Sequence, residues 1–358
     1  MAQRSGELTG FTVGVTADRS RDTLGTLLER SGARVVLAPA LRIVPLADDT
    51  ELRAATRACL DRPPDIVVAN TSIGMRGWLE AAAGWGLAEP LRGVLAQAYL
   101  VTRDPRVRGG TDHAPMEESY AEVIDHLRDR GVRGQVVAMQ LPGERQPEWT
   151  SALEAAGATV IEIPVYRWAP PLDPAPLHRL VDLVTGRLVD AVAFTSAPAV
   201  NALLRAAGPA REDLLAALRH DVLAACVGPV TAAPLRRHGI PVVAPAKARL
   251  GGLVRTIIKE LPPRAISVRA AGHDLTLRGH AAVVDGALKP LAPGPMAVLR
   301  ALAAEPGRVF SRGALQRTLP RGADEHAVEM AVARLRAGLG TPRVVQTVVK
   351  RGYRLAVD

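Results

Sequence analysis

The chain has 358 residues, 48% apolar and 23% charged, enough for roughly two or three domains that each bury a core. Aromatics make up only 3%, which argues against stacking platforms for single-stranded nucleic acid. No stretch approaches the roughly 18 apolar residues of a membrane span, Met1–Glu7 has no signal-like apolar run, and the isolated Cys59 and Cys226 lack metal-ligand spacing. A cytoplasmic chain without metal is therefore expected. The net charge of +9 is unevenly placed: residues 263–358 carry 15 Lys and Arg against 7 Asp and Glu, the first 262 residues 30 against 29. A near-neutral part thus carries a basic module, the electrostatic footprint of a polyphosphate partner.

In chain order, the first 262 residues alternate short β-branched runs with helical ones. Strands are predicted at Thr12–Thr16, Arg34–Leu37, Ile66–Ala69, Gln135–Gln140, Thr159–Ile163, Ala191–Phe194 and Leu223–Val227. Helices are predicted at Arg76–Ala83, Gln146–Ala156, Val200–Ala207 and Thr231–His238. Strand, helix, strand at this spacing gives parallel sheets covered by helices.

The frame Gly-Ala-x-Val-x-x-x-Pro-x-x-Arg-x-x-Pro starts at Gly32 and again at Gly157. Asp65–Ser72 and Asp190–Ser196 form a second pair, each a strand ending in Thr-Ser and opening a helix. Two α/β units of similar design follow. The repeated Pro-x-x-Arg-x-x-Pro segments are extended, because their prolines forbid a helix, and they suit crossovers between two lobes. The fold class is α/β: a two-lobed clamshell of parallel sheets joined by two extended crossovers, then a C-terminal winged helix-turn-helix. Residues 8–45 with 167–262 make the first lobe and 46–166 the second. Residues 263–272 make a linker and 273–358 the winged helix.

In the basic module, short strands (Ile266–Arg269, Asp274–Leu277, Ala281–Val284) precede helices at Pro295–Ala304, Ser311–Thr318 and Glu325–Leu339. A hairpin of Val344–Thr347 and Tyr353–Val357 closes the chain. At about 100° per residue, Val328, Val332, Leu335 and Leu339 share one face of the last helix. His326, Met330, Ala333, Arg334 and Ala337 lie opposite, with Arg336 and Glu329 on a shoulder. The second face, small residues plus cations, suits a major groove. Ser311 is an N-cap whose helix start could receive a backbone phosphate. Lys350 and Arg351 stand at the wing tip. The candidate DNA contacts are Ser311, Arg312, His326, Arg334, Arg336, Thr347, Lys350, Arg351 and Tyr353.

The module resembles the effector domain of OmpR/PhoB-type response regulators. The carrying segments are Val283–Gly286, Pro306–Leu315, Ala333–Arg336 and Gln346–Val348 with Gly352–Leu355. Val349-Lys350 replaces the usual Arg-Gly, and Ala327, Ala331 and Ala333 stand at positions that are often polar. The resemblance implies double-stranded promoter DNA as partner, without transferring an operator. The phosphoacceptor receiver of such regulators is not expected here. The first strand ends Thr16-Ala17-Asp18, and the lysines before residue 263 are only Lys247 and Lys259.

The first 262 residues resemble uroporphyrinogen-III synthase instead, through Gly10–Thr16, the two Thr-Ser corners, Pro164–Arg167, Phe194–Val200 and Gly228–Ile240. That resemblance implies the clamshell, a linear tetrapyrrole substrate cyclised without metal or organic cofactor, and a ligand in the interlobe cleft. Tyr166 matches the family's cleft tyrosine and is the candidate catalytic residue, the bland alternative being interlobe packing. Thr71, Ser72, Thr195, Ser196, Gly228 and Thr231 are candidate ligand contacts at strand-to-helix corners, which are also ordinary N-cap positions. Arg103, nearest of the cluster with Arg106 and Arg108, is a candidate for an anionic substrate. The segment 103–111 runs on where the other lobe has a full helix, so one wall of the cleft is expected to differ.

Synthase-like lobes followed by a winged helix resemble actinobacterial regulators of nitrate and nitrite assimilation. Three readings stand at this point. The first is a DNA-binding regulator whose clamshell senses a tetrapyrrole or another small anion, or meets another transcription factor, as a monomer or homodimer. The second is an active synthase, alone or bifunctional. The third is a protein-interaction adaptor.

Overall fold

The computed structural model describes residues 6–18, 20–69, 71–102, 112–115, 120–143, 145, 147–319 and 324–358. Their strands, in chain order, are β1 (Thr12–Val15), β2 (Arg34–Leu37), β3 (Arg42–Pro45), β4 (Ile66–Ala69), β5 (Tyr99–Thr102), β6 (Asp112–Pro115), β7 (Val136–Gln140), β8 (Thr159–Ile163) and β9 (Tyr166–Ala169). Next come β10 (Ala191–Phe194), β11 (Leu223–Cys226), β12 (Val242–Val243), β13 (Ile266–Ala270), β14 (His273–Arg278), β15 (Ala281–Val284), β16 (Ala287–Pro290), β17 (Val345–Val348) and β18 (Gly352–Leu355). The chain divides into two compact units, residues 41–171 and the remainder.

The 41–171 unit holds a parallel sheet of order β6-β5-β4-β7-β8. β4 and β7 are buried along their whole length, as expected for strands covered on both faces. The two repeated proline segments are β3 and β9, which pair antiparallel from Arg42↔Ala169 to Pro45↔Tyr166. The chain therefore enters and leaves this unit along one ribbon, closed by Arg42 Nε donating to the Pro170 carbonyl at 3.1 Å.

The other unit holds a parallel sheet of order β12-β11-β10-β1-β2. The two orders correspond strand for strand, β2 with β8 and β10 with β4, as the internal repeat requires. Gly32 and Gly157, which head the repeated frame, take φ of +94° and +93°. Only glycine adopts this left-handed turn without strain. Asp65 and Asp190 also correspond: each Oδ2 accepts a backbone N–H at the foot of the adjacent strand, Val136 N and Thr12 N, at 2.7 Å.

The same unit contains the winged helix. A four-stranded antiparallel sheet, β13-β14-β15-β16, precedes helices Pro293–Ala304, Arg312–Gln316 and Glu325–Leu339 and the β17-β18 wing. Met296, Leu299, Leu302, Leu315, Val332 and Leu335 lie in its core. Residues 263–272, expected as a linker, contain β13, paired with β14 from Ile266↔Leu277 to Ala270↔His273. β16 escaped the sequence reading because it is a short edge strand that ends in proline, a residue edges tolerate.

The winged helix docks on the first lobe by the β14–β15 turn. Asp190 Oδ1 meets Arg300 at 3.3 Å, Thr12 Oγ1 lies 2.9 Å from His280 Nδ1, and Arg278 donates to the Thr9 carbonyl. At Gly279 any Cβ would lie 1.9 Å from Asp190 Oδ2, so only glycine permits this approach. Burial pushes the Asp190 carboxyl up, with Arg300 and the Thr12 N–H opposing. Burial, then the Arg34 charge, pushes His280 down.

Candidate nucleic-acid interface and ligand corners

The recognition helix Glu325–Leu339 starts at Asp324, whose carboxylate accepts the Ala327 N–H at 2.7 Å. It ends at Gly340 in the left-handed conformation, a C-cap that glycine favours. Val328, Val332, Leu335 and Leu339 are buried, together with Ala331. His326, Glu329, Met330, Ala333, Arg334 and Ala337 are exposed, the face the helical period assigns to solvent or a groove. Among the described residues Arg334 has no ion-pair or hydrogen-bond partner, so its guanidinium is free to engage base edges.

Other predicted contacts are engaged within the protein. Arg336 donates from Nε to the Val345 carbonyl at 2.9 Å and from a terminal nitrogen to Thr347 Oγ1 at 2.8 Å. It therefore braces the wing against the recognition helix. Arg312 pairs with Glu329 at 3.0 Å. Both guanidinium carbons stand 5.9 Å from the Tyr353 ring, and Tyr353 itself is buried. Ser311 Oγ accepts the Ala314 N–H at 3.2 Å, so this hydroxyl is a helix cap. At the wing tip, Lys350 takes a left-handed φ of 56° and is exposed beside Arg351 and the 79% exposed Val349. A free cation on the helix and two at the wing leave a surface that can read a groove and grip phosphates. Helical periodicity places Arg334 on the exposed face, and the hairpin turn places Lys350 and Arg351 at the wing tip. Periodicity misses the brace, which depends on where the wing folds back.

In the first lobe, Thr195, Ser196 and Gly228 stand just beyond the C-terminal ends of β10 and β11, adjacent parallel strands. That edge is where open α/β sheets bind ligands. Ser196 Oγ accepts the Ala199 N–H at 3.4 Å, and Gly228 precedes the helix Pro229–Arg237 in extended conformation. Thr231 is buried in that helix. In the 41–171 unit Thr71 caps the helix Ser72–Gly84, accepting the Gly74 N–H at 3.1 Å, while its own N–H donates to Gln140 Oε1 at 3.2 Å. The capping partners Thr71 and Ser196 are therefore equivalent, and the Thr-Ser dipeptides are displaced by one residue. Ser72 corresponds to Ala197, and Thr195 to residue 70. Tyr166 is buried in β9 opposite Pro45. Arg103, Arg106, Arg108 and the expected helix replacement at 103–111 lie outside the described residues, as does Gln146.

Cys59 and Cys226 are fully buried, and that burial pushes their thiols up to about 12. Among the described residues no cluster of three or more metal-ligating side chains exists, and no helix is long and apolar enough to cross a membrane.

Two family models match the chain. That for uroporphyrinogen-III synthase HemD covers residues 22–255, and that for the C-terminal domain of transcriptional regulatory proteins covers residues 287–355. A crystallised uroporphyrinogen-III synthase mutant from Thermus thermophilus is 28% identical with a TM-score of 0.56, covering 70% of this chain and 100% of its own. The Bacillus subtilis uncharacterized protein YjjA is 28% identical over 262 residues, 70% of this chain and 96% of the relative. A putative uroporphyrinogen-III synthase from Methanothermobacter thermautotrophicus is 27% identical over 235 residues, 64% of this chain and 90% of the relative. The chain belongs to the uroporphyrinogen-III synthase family and carries, fused to that domain, a C-terminal OmpR/PhoB-type winged-helix DNA-binding domain.

Proposed function

We propose that this protein is a transcriptional regulator whose winged helix binds promoter DNA and whose synthase-like lobes act as a sensor or interaction module. The observation that carries this reading is the exposed Arg334 face together with the exposed wing-tip Lys350 and Arg351, in the strongly basic part of the sequence. The C-terminal family match supports it. Resemblance to fused regulators of nitrate and nitrite assimilation points to nitrogen-assimilation genes as targets. A ligand at the strand ends bearing Thr195, Ser196 and Gly228 would bias two states of the protein only by binding them with different affinity. A partner transcription factor or a second copy of the chain would act by the same rule.

Genome-wide binding of the tagged protein, followed by mobility shifts on recovered sites, tests the reading. Arg334→Ala is expected to weaken a specific site by about 1–3 kcal/mol and to relax preference at one position. Lys350→Ala and Arg351→Ala should weaken all sequences alike and each lower the salt slope by about 1. Absence of any shift at moderate salt would overturn the proposal.

A second reading, an active synthase, is favoured by one observation: the chain covers the whole length of the crystallised synthase. An assay separating the type III from the type I uroporphyrinogen isomer tests it. Type III product that falls with Tyr166→Phe would establish catalysis, and type I product alone would exclude it.

A further inference from the structure

Beside the contacts of Asp190, the seam between the first lobe and the winged helix opens into a cavity of about 1050 Å³. This is at the upper end of the volumes that hold cofactor-sized ligands. Its walls come from both domains: the segment 179–190 on one side, helix Pro293–Ala304 and residues 317–319 on the other, with 261–266 crossing between. Leu188, Leu261 and Leu277 line it together with Ala297 and Ala301. The last two lack the bulk to fill the space.

Two of its carboxylates already have partners, Asp190 with Arg300 and Asp221 with Arg187. Arg179, Arg264 and Arg317 also line the cavity and have no ion-pair partner among the described residues. Among the described residues the carboxylates without partners are Asp182 and Asp213. Arg179, Arg264 and Arg317 are exposed as well as unpaired, so their guanidinium groups can turn toward an occupant at the rim. Leucine and alanine on the walls, with three unpaired arginines against two unpaired carboxylates among the described residues, suit one ligand chemistry, an anionic head on an apolar body.

We propose that this seam is a binding site for a small organic anion bearing a carboxylate, sulfonate or phosphate. It is formed entirely by the unit that contains the winged helix and is separate from the strand-end corners at Thr195, Ser196 and Gly228. An occupant touches the lobe and helix Pro293–Ala304 at once and so fixes the joint between them. The site does not depend on the corners binding anything, nor on the DNA reading.

The test uses the full chain and 1-anilinonaphthalene-8-sulfonate, a sulfonate on an apolar body, followed by fluorescence. Saturable binding of one dye per chain is expected. Ala301→Trp, which fills the cavity, should weaken it at least tenfold. The paired exposed changes Arg264→Glu and Arg317→Glu should do the same without touching the core. The uncharged analogue N-phenyl-1-naphthylamine should bind at least tenfold more weakly than the sulfonate. No saturable binding, full binding in both variants, or equal binding of the uncharged analogue would overturn the site.

Discussion

Arg300→Ala is expected to destabilise the protein by about 3 kcal/mol near neutral pH, because it strands the Asp190 carboxylate at the seam. The two side chains are 21% and 10% exposed, so solvent entering by the cavity replaces the lost partner only in part. Asp190 already titrates above its ordinary 3.8, mainly through burial, and Arg300 is the charge that opposes the shift. A carboxyl whose folded pKa is raised contributes most below its unfolded pKa, and that contribution is lost as pH rises through the folded value. Removing Arg300 raises the folded value further. Urea denaturation should therefore show a deficit that is small near pH 4 and grows toward neutral pH. Asp190→Asn placed on Arg300→Ala should abolish that growth. A deficit independent of pH, or one below about 1 kcal/mol, would show that the pair is not a buried latch.

Gly352→Ala should be at least as costly, by a different cause. Gly352 opens the return strand of the wing at φ +127°, and a Cβ there would lie 2.0 Å from the Phe310 carbonyl oxygen. That oxygen accepts the Tyr353 N–H at 2.9 Å, and the Phe310 N–H donates to the Tyr353 carbonyl at 2.8 Å. The backbone cannot yield without breaking this bridge. Strain of about 1–3 kcal/mol adds to two hydrogen bonds worth about 1 kcal/mol each, for a total of about 3 kcal/mol or more. Gly286→Ala is the control: its φ is +82°, yet nothing lies within 4 Å of the added methyl. It should cost about 1 kcal/mol, by backbone conformation alone. Denaturant unfolding of both variants measures the difference. Equal losses would mean that the Phe310 contact is slack.

Much of both domains was legible because the signals are local. β-branched runs placed β2, β4, β8 and β10 to the residue; β4 and β10 are buried along their whole length, whereas β2 and β8 are partly exposed and were marked by their branched residues alone. The apolar period of Glu325–Leu339 identified its buried face, and helix geometry then exposed Arg334. Reading the Thr-Ser corners as equivalent missed by one residue, because the dipeptide is visible in sequence and the N-cap hydrogen bond is not. Arg336 was placed on the DNA side because its angle on the helix is intermediate. The wing strand that claims it lies outside any helical period.

The sequence by itself determined two α/β repeats, a basic winged-helix tail and the exposed face of its last helix. Each of these follows from periodicity, proline placement and charge counts within one segment. The tertiary structure alone decided what Asp190 does. Its counterpart Asp65 only caps a strand, while Asp190, in the same position of the repeat, also holds Arg300 from a helix 110 residues away. No local pattern encodes that difference. It arises from Gly279 having no side chain, which lets a turn of the winged helix reach a carboxylate at the foot of the sheet.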